Sequence, residues 1–389
     1  MSVMSRPASA GEGFVPPVYP FDKLDEFSWL AAGHEGGPVD LSVGTPCDAP
    51  PPEVVEALAR SGTERGYPTS IGSVELREAA AAWMERRLGV TVAASAIAAC
   101  VGTKELVAGV PQWLRLRTPS RDTILYPSLA YPTYEMGATL AGCRAVPVPT
   151  APGGGMDLDG VSEEDAERAL CLWVNSPANP SGHLEDLGAA AEWGRGHGVP
   201  VFSDECYVEF TWTGGRRTIL EHGDRGVVAV HSLSKRSNLA GLRVGVFAGD
   251  PDLVGYLAAV RRHAGFMVPG PVQHAATVAF GDDAHVEQQR AIYRERLQRF
   301  AGWLAEAGIP VALPAGGFYL WLTAPERFVA EAGDVSPGFA LGRYLAEAAG
   351  VLSSPGDAYG PGGARHLRLA MVQPMERLEL AADRLLQAL

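Results

Sequence analysis

The sequence predicts an α/β fold in which a large domain, with a mostly parallel sheet between helices, is joined to a smaller α+β domain. The chain has 389 residues, which is enough for two or three domain-sized units with large hydrophobic cores. From about residue 39 to residue 265, short apolar runs alternate with amphipathic stretches, a pattern typical of parallel strands covered by helices. After residue 265 this alternation is replaced by a long charged helix, which strands and helices follow in mixed order.

The individual elements follow from the period of the apolar residues. The candidate strands of the large domain are Thr123–Tyr126, Arg144–Val148, Leu170–Val174, Val199–Ser203, Val227–His231 and Arg243–Phe247. The candidate helices are Pro52–Ser61, Val74–Leu88, Glu105–Leu116, Leu184–Gly194 and Pro251–His263. In the smaller domain we predict a helix, a strand, a helix and a strand before a closing helix, at Ala284–Ala307, Gly317–Leu322, Ala340–Ala349 and His366–Ala370.

These elements divide the chain into three parts. Residues 1–45 are predicted to form an N-terminal arm and part of the small domain, residues 46–265 the large domain, and residues 266–389 the small C-terminal domain. Residues 1–20 are rich in Pro, Gly, Ser and Ala, which predicts a flexible arm. The segment Ala151–Asp159 contains three glycines and is predicted to be a loop.

Composition and charge exclude several classes of function. The formal net charge of −13 argues against nonspecific binding to nucleic acid or to anionic membranes. No stretch approaches the roughly 20 apolar residues of a membrane span, and residues 1–20 do not resemble a secretory signal. The five cysteines have no CxxC spacing and the nine histidines no metal-binding spacing. We therefore expect reduced thiols, a cytoplasmic location and no metal site.

The strongest chemical signal is a lysine that directly follows a predicted strand. Lys235 is preceded by Ser232 and Ser234, and Arg243 follows it eight residues later. Ligand sites of α/β sheets lie at this end of the strands. A lysine amine can form an imine, and hydroxyls with an arginine can bind a phosphate. The alternative is a surface lysine in a serine-rich loop, since a short motif match is only a hypothesis, and we favour the functional interpretation.

Two further polar segments follow predicted strands. In Ser203–Tyr207, Asp204 can pair with a protonated ring nitrogen and Tyr207 can reach a neighbouring ring oxygen. An aspartate at this place is also a common helix cap. In Asn175–Gly182, the Asn, Pro and Gly residues predict a tight turn, and Asn179 can at the same time donate a hydrogen bond to a ligand.

Three weaker signals each have an ordinary structural interpretation. The segment Val101–Glu105 opens a predicted helix, whose first N–H groups suit a phosphate, but it is also a normal loop-to-helix junction. Tyr131 and Tyr134 follow a strand and can stack on a ring or pack in the core. Arg368 lies in the strand near the C-terminus and suits a carboxylate, although such an arginine is usually in a structural ion pair.

The order and spacing of these six segments resemble fold-type-I enzymes that depend on pyridoxal 5′-phosphate (PLP), the aspartate aminotransferase superfamily, from Val39 to about Ala370. The resemblance implies that PLP is the cofactor and that residues 46–265 bind it. It implies catalytic roles for Lys235, which binds the cofactor and moves protons, for Asp204, which pairs with the pyridine nitrogen, and for Tyr207.

The resemblance also implies roles for the remaining site residues. Asn179 and Tyr207 would contact the phenolic oxygen of PLP, and Tyr131 would stack on its ring. The residues implied to hold the phosphate are Gly102, Thr103, Lys104, Ser232, Ser234 and Arg243. The residues implied on the substrate side are Arg368, which would bind the α-carboxylate, Gly44 and Asn179. Tyr67 would reach the phosphate of a partner subunit, in a homodimer with shared active sites.

A narrower resemblance concerns the substrate. Five segments are similar to the actinobacterial N-succinyldiaminopimelate aminotransferases of lysine biosynthesis: Val39–Pro46, Lys104–Ala108, Leu129–Glu135, Arg262–Pro269 and Pro355–Pro361. This similarity implies transfer of an amino group between glutamate and an oxo acid, with N-succinyl-2-amino-6-oxopimelate as the acceptor. The glycine-rich loop and the serine after Asn179-Pro180 depart from that pattern.

Two alternatives stand beside this interpretation. A paralogous PLP enzyme of secondary metabolism, such as another aminotransferase, a lyase or an oxidase, would have the same cofactor site. A PLP-binding regulator would need a DNA-binding module, and the residues before Val39 are too few and too rich in Pro and Gly for one. The residue that binds the distal end of the substrate stays open among Arg144, Arg236, Arg261 and Arg262.

Overall fold

A computed structural model describes residues 14–16 and 24–387. The predicted arm at residues 1–20 lies outside the described residues except for residues 14–16. The strands are β1 (Val39–Asp40), β2 (Ile97–Cys100), β3 (Thr123–Pro127), β4 (Arg144–Val148), β5 (Ala169–Asn175), β6 (Val201–Asp204), β7 (Val227–Ser232), β8 (Gly245–Gly249), β9 (Tyr319–Thr323), β10 (Val351–Leu352), β11 (Ser354–Pro355) and β12 (His366–Ala370).

The helices of the described residues run through both parts of the chain. They are α1 (Asp25–Ala31), α2 (Pro52–Ala59), α3 (Val74–Leu88), α4 (Thr103–Arg117), α5 (Thr133–Leu140), α6 (Glu163–Arg168), α7 (Leu187–His197), α8 (Leu233–Arg236), α9 (Pro251–His263), α10 (Gly270–Gly281), α11 (Ala284–Glu306), α12 (Glu326–Glu331), α13 (Pro337–Ala349) and α14 (Met375–Gln387). Among the residues described, no helix is long and apolar enough to cross a membrane.

The large sheet contains strands β2 to β8 in the order β2-β8-β7-β6-β5-β3-β4. All its pairs are parallel except those of β8, which runs against both of its neighbours. The inner strands are continuous apolar runs because helices cover both faces of the sheet. Helices α3, α7 and α10 pack on one face, and α4, α5 and α9 on the other. The predicted α/β class with a mostly parallel sheet is confirmed.

Local sequence signals fix the ends of several helices. The Ser73 hydroxyl accepts a hydrogen bond from the Leu76 N–H at the start of α3, and Gly89 ends the helix in the left-handed conformation. Asp250 caps α9, where Pro251 occupies the first turn. The glycine-rich loop after β4 folds back on itself through an antiparallel bridge between Thr150 and Met156.

Some predicted elements were wrong in position or were missed. The strand expected at Arg243–Phe247 begins instead at Gly245, because Arg243 has φ 54° and cannot join an extended strand. The strand expected at Val199–Ser203 starts two residues later. Strand β2 and helices α5 and α10 were not predicted, since they are short or nearly apolar all round and show little periodicity.

The smaller part of the molecule is built around a second, antiparallel sheet. Its strands have the order β11-β12-β9, and β1 pairs in parallel with β10 beside it. Their inner faces share a core with α11, α13 and α14. Helix α10, which follows residue 265, packs into the core of the large sheet. The predicted division of the chain into domains stays a prediction.

Candidate active site

Three neighbouring parallel strands bring polar residues to one edge of the large sheet. Asn175 ends β5, Asp204 ends β6 and Ser232 ends β7. The short helix α8 starts directly after β7 and carries Lys235. This carboxyl edge is where ligands bind in open α/β sheets. Here it borders a cavity of about 350 Å³ that the small sheet closes from the other side.

Nearly all of the predicted site residues line the cavity. Those that line it are Gly44, Thr103, Lys104, Tyr131, Asn179, Asp204, Tyr207, Ser232, Ser234, Lys235, Arg243 and Arg368. Gly102 lies directly behind the lining, because a Cβ on it would collide with the Arg243 guanidinium. Tyr67 does not line the cavity and is 99% exposed.

Lys235 places a partly buried amine in the cavity. The sequence contains three lysines, Lys23, Lys104 and Lys235, and two of them lie here. Burial lowers the pKa of Lys235 to about 8, and the positive charges of Arg368 and Arg243 act in the same direction. The amine donates a hydrogen bond to the carbonyl of Gly44. A substantial fraction of this amine is therefore neutral, and nucleophilic, near physiological pH.

Asp204 is a partly buried carboxylate with two protein donors. The Tyr134 hydroxyl donates to Oδ2 over 2.9 Å, and the Cys206 N–H donates to Oδ1 over 3.2 Å. Burial raises the pKa of Asp204, whereas the hydrogen bonds from Cys206 and Tyr134 lower it. The sequence left open whether Tyr134 stacks on a ligand or packs in the core. Its ring packs against Trp173, and its hydroxyl holds Asp204.

Arg368 projects from β12 into the cavity and is 2% exposed. One Nη donates to Asn179 Oδ1 over 2.8 Å and the other to the Ser42 carbonyl over 2.6 Å. The rings of Tyr319 and Tyr359 lie 4.2 and 5.0 Å from its Cζ. Its Nε has no hydrogen-bond partner among the described residues. A buried cation that pairs with no carboxylate of the described chain is suited to binding an anionic ligand.

The opposite end of the cavity is built to hold an anion. Helix α4 begins there at Thr103, and Gly102 before it has φ 75°, a conformation that glycine adopts without strain. The first N–H groups of the helix therefore face the cavity unpaired within the helix. Ser232, Ser234 and Arg243 border the same end.

Tyr207 and Tyr319 form a pair of buried phenols whose hydroxyl oxygens are 2.7 Å apart. Tyr319 and Cys206 were not predicted as site residues and the role of Tyr134 was left open, yet all three line the cavity. The Cys206 thiol donates to the Thr103 hydroxyl over 3.4 Å. Tyr319 lay inside a predicted apolar strand, where no local signal distinguishes it from a core residue.

The four arginines considered for the distal end of the substrate do not line the cavity. Arg261 is buried in a two-bond ion pair with Glu105. Arg236 is buried beside other acidic groups, Arg144 pairs with an aspartate at the sheet edge, and Arg262 is exposed on α9. Within the part of the chain that the structure describes, the lining cations are Lys104, Lys235, Arg243 and Arg368.

Residues 37–385 match the family model described as aminotransferase class I and II. The chain belongs to this aminotransferase family. It is 41% identical to the probable aminotransferase Rv1178 of Mycobacterium tuberculosis, over 98% of this chain and 88% of that protein. It is 42% identical to the 4-dedimethylamino-4-oxo-anhydrotetracycline transaminase OxyQ of Streptomyces rimosus, over 95% of this chain and 99% of that protein.

Solved structures of aminotransferases share the fold. A probable N-succinyldiaminopimelate aminotransferase from Thermus thermophilus superposes with a TM-score of 0.83 at 32% identity, over 95% of this chain and 100% of that one. An aminotransferase from Neisseria meningitidis gives a TM-score of 0.86 at 30% identity, over 95% and 97%. The protein is thus an aminotransferase of PLP fold type I, and PLP is its cofactor.

The aminotransferase cavity fits PLP in three places. A lysine amine, a carboxylate and an anion-binding helix start border one space, as a cofactor with an aldehyde, a pyridine nitrogen and a phosphate requires. The missing side chain of Gly102 lets the Arg243 guanidinium reach the phosphate end. Among the residues that the structure describes, no cluster of His, Cys, Asp and Glu suits a metal ion.

Proposed function

We propose that this aminotransferase transfers an amino group between glutamate and an oxo acid, with N-succinyl-2-amino-6-oxopimelate as the favoured acceptor. The observation that carries the proposal is that two further cations, Arg368 and Lys104, line the cavity besides Lys235 and Arg243. The Nζ of Lys104 lies 5.6 Å from the centre of the Tyr131 ring. Substrates with two separated carboxylates match this charge arrangement.

In this proposal Lys235 binds PLP and moves the proton at the substrate Cα, because its amine is close to half neutral at pH 8. The bound cofactor supplies an electron sink for that carbon. Asp204 holds the pyridine nitrogen protonated. Asn179 accepts from Arg368 through Oδ1, so its NH₂ group can donate to the phenolic oxygen.

The proposal assigns the remaining contacts by their position in the cavity. Tyr207 donates to the phenolic oxygen and Tyr131 covers the ring. The phosphate is held by side chains and by the backbone N–H groups at the start of α4, from Gly102, Thr103, Lys104, Ser232, Ser234 and Arg243. The phosphate contact of Lys104 is through its backbone, so its side chain can serve a distal carboxylate.

A second candidate function comes from one relative. The similarity to OxyQ, whose name describes an oxo-anhydrotetracycline as its substrate, covers 99% of that protein. A paralogue that aminates a ketone of a secondary metabolite would use the same cofactor site and a different distal end. It would not depend on the charge of Lys104.

The test is a steady-state assay of the wild type and of two variants, with glutamate as donor and a panel of oxo acids as acceptors. Arg368→Lys loses the planar guanidinium, which can bind a carboxylate through two hydrogen bonds. We therefore expect kcat/KM to fall about ten- to a hundredfold for every amino acid while PLP stays bound. Arg365→Lys is the matched control, because Arg365 makes a surface ion pair with Glu326 and is half exposed.

The second variant, Lys104→Met, keeps the backbone and removes the charge. It should raise KM for dicarboxylates about tenfold and leave alanine unaffected. Equal losses for alanine and for dicarboxylates would refute the role of Lys104. Faster turnover of an unacylated oxo acid or of a polycyclic ketone than of the succinylated substrate would favour the second candidate.

We also propose a homodimer with shared active sites in the cytoplasm. The position of Tyr67 supports the interface, since its ring is 99% exposed and does not line the cavity of its own chain, which leaves it accessible to a partner subunit. All five cysteines are free, which supports a reducing compartment.

A further inference from the structure

Tyr319 contacts both Tyr207, which is assigned to the cofactor, and Arg368, which is assigned to the substrate. It projects from β9 and is 2% exposed. Its hydroxyl meets Tyr207, its ring covers Arg368, and it approaches the backbone of Gly44 so closely that a Cβ there would overlap the hydroxyl. Gly44 in turn accepts the hydrogen bond from Lys235. The Tyr319 side chain therefore contacts the Tyr207 phenol, the Arg368 guanidinium and Gly44, the residue that accepts from the Lys235 amine.

The proposed role of Tyr207 sets the direction of the hydroxyl contact, in which either oxygen could otherwise donate. Burial raises the pKa of Tyr207 and of Tyr319, so both phenols are protonated at neutral pH. A phenol carries a single proton. When Tyr207 donates its hydrogen bond to the phenolic oxygen of PLP, the Tyr207 oxygen must accept the hydrogen bond from Tyr319 over 2.7 Å. A hydroxyl that accepts a hydrogen bond is polarised and becomes a stronger donor.

The ring contact determines how Arg368 faces the substrate. Tyr319 and Tyr359 lie against the guanidinium at 4.2 and 5.0 Å, and both attract the cation through their faces. Because Asn179 and Ser42 hold the two Nη atoms, the rings fix the plane of the fork. The N–H groups of Arg368 that these contacts leave over are then directed toward a substrate carboxylate.

We propose that Tyr319 is a positioning residue that couples the two halves of the site. Its hydroxyl orients Tyr207 toward the phenolic oxygen of the cofactor, and its ring orients Arg368 toward the substrate carboxylate. The inference rests on the proposed function, because it takes Tyr207 and Arg368 in the roles assigned there.

Three variants separate the two contacts. Tyr319→Phe removes the hydroxyl and keeps the ring, whereas Tyr319→Leu removes both. Tyr293→Phe is the matched control, since the Tyr293 hydroxyl is buried in the same aromatic cluster and has no hydrogen-bond partner among the described residues. Two quantities are measured on the holoenzyme. They are the pH midpoint of the visible absorbance of bound PLP and the dissociation constant of glutarate, which binds without reacting.

Both Tyr319 variants should raise the pH midpoint by roughly half a unit, because a weaker donor stabilises less negative charge on the phenolic oxygen. Only Tyr319→Leu should weaken glutarate binding, by roughly three- to thirtyfold, because the phenylalanine ring still covers Arg368. The control Tyr293→Phe should match the wild type in both measurements.

A wild-type midpoint in Tyr319→Phe, or wild-type glutarate affinity in Tyr319→Leu, would overturn the coupling. So would a shift in Tyr293→Phe as large as that in Tyr319→Phe, since it would show a general effect of the aromatic cluster. A wild type that binds no glutarate and transaminates no amino acid would refute the proposed function as well. Normal wild-type behaviour with unchanged Tyr319 variants would refute this inference alone.

Discussion

At the scale of single residues, the assignment of Lys235 allows a sharp test because the sequence has so few lysines. We predict that Lys235→Ala abolishes the covalent linkage to PLP, since the desolvated amine of Lys235 lies in the cavity that Asp204 also lines. The measurement is the PLP that remains attached to the chain after borohydride reduction. Lys104→Ala, the other lysine of the cavity, is the control and should keep the linkage. Retention of the linkage in Lys235→Ala would refute the assignment.

The lowered pKa of Lys235 predicts a pH dependence. Only the neutral amine attacks an aldehyde, so the rate at which the apoenzyme captures PLP should rise roughly tenfold per pH unit below pH 8 and level off above it. An exposed lysine, with its pKa of about 10.5, would still gain rate at pH 9. Stopped-flow absorbance between pH 6 and pH 9 measures this profile, and a flat profile would contradict it.

Much of the site could be predicted at this scale, for a physical reason. Asp204 ends β6, and Asn179 and Lys235 come shortly after β5 and β7, whose carboxyl ends meet at one edge of the sheet. The hydrogen bonds of Tyr134 and Tyr319 could not be predicted, because they join residues 70 and 112 positions apart in the sequence. Neither tyrosine has a local pattern that differs from that of a core residue.

At the scale of elements, the helix that carries Lys235 has only four residues and depends on its neighbours. The buried Glu209 joins it to α3 and to the loop after β6. Its carboxylate accepts from Trp83 over 2.7 Å and lies 2.9, 2.8 and 3.4 Å from Arg87, Arg216 and Arg236. Burial favours the neutral acid, but the hydrogen bond from Arg87 and the charge of Arg236 outweigh it and lower the pKa of Glu209 to about 2.

We predict that Glu209→Gln lowers the free energy of unfolding by about 3 kcal/mol or more, because it removes the buried anion that Arg87, Arg216 and the buried Arg236 share and leaves them only more exposed partners. The exposed Glu287 pairs with Arg87 and Arg216, and Glu287→Gln should cost less than about 1 kcal/mol. The measurement is the denaturant concentration at the unfolding midpoint of each variant, which should fall much further for Glu209→Gln than for Glu287→Gln. The contribution of Glu209 is fully present above about pH 4.5 and is lost as the pH falls toward 2. Equal midpoints would contradict the anchoring role.

Helices and strands were predictable where apolar residues recur regularly over a long segment. The bounds of α3 and α9 were predicted without error, since each has a polar cap and a regular apolar stripe. Strand β2 was missed because its four residues Ile97–Cys100 are all buried, so no alternation marks them. The start of β8 was wrong because the conformation of Arg243 depends on the site it faces and not on its neighbours in sequence.

At the scale of the whole molecule, the cavity lies between two sheets that are distant in sequence. Gly44 and Arg368, which come from opposite ends of the chain, meet there because β1 and β12 belong to the smaller part. The single chain supplies every predicted site residue except Tyr67, whose ring is 99% exposed on the surface. If the site is shared, a second copy of the chain must bring its own Tyr67 to the phosphate.

This arrangement predicts the behaviour of mixed dimers. Tyr67→Phe alone should weaken PLP binding about tenfold through the loss of one hydrogen bond to a charged group, and Lys235→Ala alone should be inactive. In a heterodimer of the two variants, a shared site gives one cavity with both defects and one with neither. The purified heterodimer should therefore show half of the wild-type activity at wild-type PLP affinity. If Tyr67 served its own subunit, every active cavity would bind PLP as weakly as Tyr67→Phe does. A monomer in light scattering at working concentration would rule out the exchange altogether.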